Sequence, residues 1–112
     1  MIEKTIYDYL NTLDGVKVFT EIPKDFPGNF YLIEKTGDMR ENHINRATIA
    51  IQSYGETLYD AMVLNDRLKG YMLDGLISLD TISGVKLNSD YNYTDTSTKR
   101  YRYQAVFVVT YY

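Results

Sequence analysis

The sequence predicts an α+β fold: a mixed, mostly antiparallel β-sheet backed by two α-helices, in the order α-β-β-β-α-β-β. Three observations lead there. Two segments carry apolar residues at spacings of three and four, the period of a helix with one buried face. Other segments alternate apolar and polar residues, or bring β-branched and aromatic residues together in short runs between turn signals. Finally, the two helical segments are separated by runs of strand-like sequence, the arrangement of an antiparallel or mixed sheet.

The first helix is expected over Ile2 to Leu13, with Ile2, Ile6, Tyr9, Leu10 and Leu13 on one face and Gly15 as its stop. Val16 to Ile22 changes to period two, with Val16, Val18 and Ile22 sharing a face. Pro23 and the run Phe26-Pro27-Gly28-Asn29 force a turn, and Phe30 to Lys35 reads as a second short strand. Thr36 to Asn45 is polar and turn-like, either a loop or the tip of a long hairpin. In the third strand Ala47, Ile49 and Ile51 face inward, while Arg46, Thr48, Ala50 and Gln52 face out. Ser53 and Glu56 have the spacing of a capping box. The second helix follows over about Glu56 to Leu73, with Leu58, Ala61, Met62, Leu68 and Met72 on its apolar face and Asp74-Gly75 as its end. A strand begins at Ile82 to Leu87 and continues toward Tyr91 and Tyr93; Thr94 to Thr98 is a polar loop. From Ala105 onward both faces of the last strand, Arg100 to Tyr112, are apolar, which predicts a strand central in its sheet or covered on both sides.

A chain of 112 residues is one domain, 1–112, because two halves would each be too small to bury an adequate core. With no Cys and one His, disulfide frameworks and Cys/His metal sites are excluded. A net charge of −3 argues against a nucleic-acid-binding surface, since Lys99, Arg100 and Arg102 form only a short basic cluster. The start, Met1-Ile2-Glu3-Lys4, leads into an amphipathic stretch, so neither a signal peptide nor a membrane span is expected. Twelve tyrosines without a Trp suit half-buried sheet surfaces or a protein contact.

Enzyme chemistry finds little footing. His43 lies in the polar 36–45 segment without a second His or a Cys, and a loop His of this kind is more often inert than a general base. The Asp residues fall mainly at turns, where they cap and form Asx turns. Neither a phosphate-cradling nor a dinucleotide-binding glycine pattern occurs. Lys99-Arg100-Tyr101-Arg102-Tyr103 interleaves basic and aromatic residues as single-strand binders do, but the acidic balance favours a strand with one solvated face. No catalytic residue, cofactor or metal site is expected, nor a small-molecule substrate.

Taken along its length, the chain resembles the small tail-terminator, or tail-completion, proteins of long-tailed bacteriophages. The resemblance is carried by the N-terminal amphipathic helix, a strand closing in Glu21-Ile22-Pro23, and the strand Phe30-Tyr31-Leu32-Ile33-Glu34 with its polar excursion. It continues in Ala47-Thr48-Ile49-Ala50-Ile51-Gln52-Ser53-Tyr54-Gly55 feeding a helix, and in Arg100-Tyr101-Arg102-Tyr103-Gln104-Ala105-Val106-Phe107. It implies a non-enzymatic virion structural protein of a phage or prophage, assembled in the bacterial host cytoplasm. Such a protein forms a homo-oligomeric ring, expected to be hexameric, that caps the tail tube and contacts the tube protein and the head–tail connector. DNA only passes through the channel, and the mildly acidic chain suits that passage.

The expected protein contacts are Met39, Arg40, Glu41, Asn42 and His43 in the polar excursion, Asp95 and Thr96 in the later loop, and Tyr111 and Tyr112 after them. Each has a plainer reading, as a solvated connection or a paired strand end. Two structural alternatives are a head-completion or neck protein and another minor tail component. A small monomeric bacterial binding module with an apolar pocket comes next, and an enzyme last.

Overall fold

The computed structural model describes residues 1–13, 15–25, 28–98 and 100–112. The predicted turn at Phe26-Pro27 and the basic residue Lys99 lie outside the described residues, as does Asp14.

The architecture is α+β, as expected. Helix α1 (Ile2–Asn11) is followed by β1 (Lys17–Phe19), β2 (Phe30–Glu41) and β3 (Ile44–Gly55), then α2 (Leu58–Gly70), β4 (Ile82–Asn92) and β5 (Tyr101–Tyr111). The strands form one five-stranded sheet in the order β1-β2-β3-β5-β4. All pairings are antiparallel except β1 with β2, which is parallel. Both helices lie on one face, where Ile6 and Leu10 of α1 and Leu64 and Leu68 of α2 pack on Ile33, Ile49, Ile51, Phe107 and Val109. The last strand is interior, as its apolar composition predicts, with β3 on one side and β4 on the other.

Several boundaries differ from expectation, each for a local reason. Strand β1 stops at Phe19 and Ile22 is exposed, because a parallel partner requires the chain to travel back across the sheet before β2 can start. Of the two forms expected for the polar segment 36–45, it takes the second, the tip of a long hairpin. It is the outer half of a twelve-residue hairpin arm, paired from Gly37↔Thr48 to Glu41↔Ile44. A two-residue turn closes it, with Asn42 at φ 50° and His43 at φ 66°, the positive values a type I′ turn needs.

Ser53 does not cap α2. Strand β3 continues to Gly55 because both neighbours still pair there, leaving Ser53 fully buried with its hydroxyl unpartnered. Thr57 is the cap: its Oγ1 accepts from the Asp60 N–H at 3.1 Å. The buried stripe of α2 and its extension is Ala61, Leu64, Asn65, Leu68 and Met72; Leu58 and Met62 lie outside it and are exposed.

Asp74-Gly75 does not end the helical path. The backbone widens into a π-helical turn, Tyr71–Gly75, and then tightens into a 3₁₀ turn, Leu76–Ser78. The Tyr71 carbonyl accepts from the Leu76 N–H and, at 3.1 Å, from the Tyr9 hydroxyl of α1. Burial raises the pKa of that hydroxyl. The helical layer is tied to β4 at Asp90, which accepts from buried Asn65 at 2.7 Å and from Lys69 at 2.6 Å. The hydrogen bond to Asp90 raises the Lys69 pKa.

Candidate protein interface

Strand alternation places Phe30, Leu32, Glu34, Met39 and Glu41 of β2 on the sheet face away from both helices. Ile44 to Tyr54 of β3 contribute every second residue to it, and β5 adds Arg102, Gln104, Val106, Val108 and Thr110. No helix of the described residues covers this face.

At one end of it a second, smaller core forms from Phe30, Leu32 and Tyr54, with Phe19 packed against it. Phe30 stacks on Tyr54 at 4.5 Å between ring centroids and meets Phe19 edge-on at 5.5 Å. From Tyr54 a closed circuit of contacts runs across three strands. The Tyr54 hydroxyl donates to Gln52 at 3.0 Å, Gln52 donates to Gln104 at 2.9 Å, and Gln104 donates to the Tyr91 hydroxyl. Tyr91 then meets Tyr93 edge-on at 5.7 Å. Arg102 closes the circuit: its guanidinium lies 4.4 Å from the Tyr93 ring centroid, donates to the Tyr93 carbonyl at 2.7 Å, and donates to the Tyr54 hydroxyl at 2.7 Å. Arg102 forms no ion pair among the described residues. Tyr91 and Tyr93 keep 40% and 42% of their surface open, so a rigid Tyr/Arg platform faces outward. Such residues dominate the energetic centres of protein contacts.

The opposite end of the same face is the hairpin tip. Met39 and Ile44 are 58% and 42% exposed there, flanking Glu41 and Arg46 around a shallow recess of about 270 Å³.

The expected contact residues therefore fall into two groups. Met39, Arg40, Glu41, Asn42 and His43 share one end of the molecule with Tyr111, which pairs with Asn45, and with Tyr112, whose N–H donates to Thr81. Asp95 and Thr96 sit in the β4–β5 turn at the other end, beyond the Gly55↔Tyr101 pair. Asp95 has an internal job: its carboxylate accepts from the Ser97 hydroxyl at 2.7 Å and the Ser97 N–H at 3.0 Å, and these bonds hold its pKa low. Tyr111 is raised by burial and then by Asp38, which belongs to an ionic bridge joining β2 to α1 through Lys35 and Glu3.

Gln52, Tyr91, Tyr93, Arg102 and Gln104 were not among the expected contacts. A signal existed in the Lys99–Tyr103 stretch, but alternation splits it. Tyr101 and Tyr103 point to the helical side, and Arg102 finds its aromatic partners on β3, at Tyr54, and just past the end of β4, at Tyr93. Among the described residues no three His, Cys, Asp or Glu side chains gather as a metal site would need. None of their helices is long and apolar enough to cross a membrane. No family model matches the chain, and no curated protein matches it either.

Proposed function

We propose that the protein is a non-enzymatic structural component of a phage or prophage particle, forming a ring that caps the tail tube and meets the head–tail connector. The supporting observation is the asymmetry of its open sheet face. A platform rich in Tyr and Arg occupies one end of a molecule 44 Å long, and a projecting hairpin tip with apolar and charged residues occupies the other. Closed rings are built by head-to-tail contact between two unlike surfaces on each subunit, and this chain carries two such surfaces. In this reading the ring sits in the virion neck, is hexameric, and lets DNA pass without chemistry.

The test is light scattering of the purified chain over a concentration series. A species near six times 13.0 kDa is expected. A monomer at every concentration overturns the self-assembling ring. It would favour the second reading, a monomeric binding module, for which the specific observation is a groove of about 370 Å³ between α1 and β1. That groove is lined by Met1, Tyr7, Val18 and Phe19 among others.

A further inference from the structure

We infer that the Arg102 platform is the receptor for the hairpin tip of a second copy, with the Glu41 carboxylate on the Arg102 guanidinium and Met39 and Ile44 against Tyr91 and Tyr93. The inference rests on the self-assembly reading and names the contact that would close the ring.

Four observations carry it. First, Glu41 and Arg102 lie on the same sheet face, because Glu41 is opposite Ile44, Tyr54 is opposite Arg102, and Ile44 and Tyr54 are an even number of residues apart on β3. Second, they cannot meet within one chain. Ten residues of strand separate Ile44 from Tyr54, about 33 Å at the usual rise. Third, the two charges are opposite, and neither Glu41 nor Arg102 forms an ion pair among the described residues. Lys17, beside Phe30 on the same face, adds a second cation at the receptor end. Fourth, the surroundings match. The carboxylate shares its recess with Arg46 and is flanked by two exposed apolar side chains, the guanidinium by two exposed tyrosines, and thioether–aromatic contact is favourable.

The receptor is also preorganised. Arg102 is fixed by Tyr54, by the Tyr93 carbonyl and by the Tyr93 ring before any partner arrives, so little side-chain freedom remains to be lost on docking. A guanidinium suits a carboxylate because its planar edge can present two parallel donors. The contact is heterologous, since tip and platform are different surfaces, and each copy offers one of each.

The experiment is a charge exchange read by solution mass, with circular dichroism as the folding control. E41R alone and R102E alone should each be monomers at concentrations where the unaltered chain assembles. Mixed together, the two monomers should assemble, because the tip Arg of one meets the platform Glu of the other and the reverse contact is native. An E41R chain that assembles like the unaltered one overturns the inference and leaves the ring reading standing. Two monomeric variants that stay monomeric when mixed also overturn it. An unaltered chain that never assembles overturns both. Should R102E not fold, E41Q serves instead: its assembly should need roughly tenfold more protein, and an unchanged concentration dependence overturns the inference.

Discussion

Asn42 and His43 hold positive φ at the tip of the β2–β3 hairpin, a region that costs any residue with a Cβ more than it costs glycine. Replacing His43 with Gly should therefore stabilise the chain by about 0.5–1 kcal/mol in a urea titration, the relief of strain exceeding the extra freedom of the unfolded glycine. Gly55 is the opposite case. A Cβ there would press on the backbone of α2's first turn, at Ala61 N and within 2.8 Å of the Thr57 carbonyl oxygen, which cannot swing aside. Gly55→Ala should cost about 3 kcal/mol, seen as a lowered melting temperature. At Asp95 the lowered pKa fixes a sign. Its hydrogen bonds to Ser97 stabilise the turn fully above the ordinary value of 3.8 and are lost as pH falls through the lower folded value. Ser97 amide exchange should thus stay protected on acidification to 3.8 and open only below it. Residue roles of this kind were half legible in the sequence. Alternation assigned Ala47, Ile49 and Ile51 to the core correctly. It also sent Ala50 and Gln52 outward; both lie on the open face yet are buried, Gln52 beside Leu32 and Tyr54 in a small core that no single strand's pattern reveals.

At the scale of elements, types were readable and ends were not. Ends depend on partners distant in sequence: β3 runs through Ser53 because β2 and β5 still pair there, and the helical path runs past Gly75 because Tyr9 supports a widened turn. That support is testable by a double-mutant cycle. A Cβ at Gly75 would collide with the Tyr9 hydroxyl, whose ring carbon stands 3.4 Å away. Gly75→Ala should therefore destabilise by about 1–3 kcal/mol, and the same change in a Tyr9→Phe background should cost clearly less, as denaturation of the four proteins would measure. The cap behaves more simply. Thr57→Ala removes the acceptor for the Asp60 N–H and should cost about 1 kcal/mol. The outer half of the hairpin was ambiguous in sequence for a physical reason: Thr36 to Asn45 has little apolar alternation because neither of its faces is deeply covered. Its strand character comes from the tight turn and the ladder, not from burial.

For the whole molecule, one face is closed by helices and the other is open, with unlike surfaces at its two ends. The apolar periods and the order of the segments gave the α+β class, but only the register brings Arg102, Tyr54 and Tyr93 together or sets Glu41 apart from them. Deleting residues 39–43 should leave a folded monomer that no longer assembles. Asp38 can still pair with Ala47, and residues 44–46 can serve as the new loop. An assembled deletion variant, by light scattering, would remove the hairpin tip from the contact. The position of β5 has a consequence for how the sheet comes into being. Residues 30–55 can close as a local hairpin at once, whereas β3 and β4 become neighbours of one another's network only when β5 slots between them. Long-range pairing of this kind is slow because loop closure precedes the contacts that reward it. During that interval β3 presents an unsatisfied ladder edge beside Ile49 and Ile51, two of the most apolar positions in the chain. Aggregation during refolding should accordingly be governed by how quickly the last strand arrives, and a chaperone that shields one extended apolar strand would meet the need.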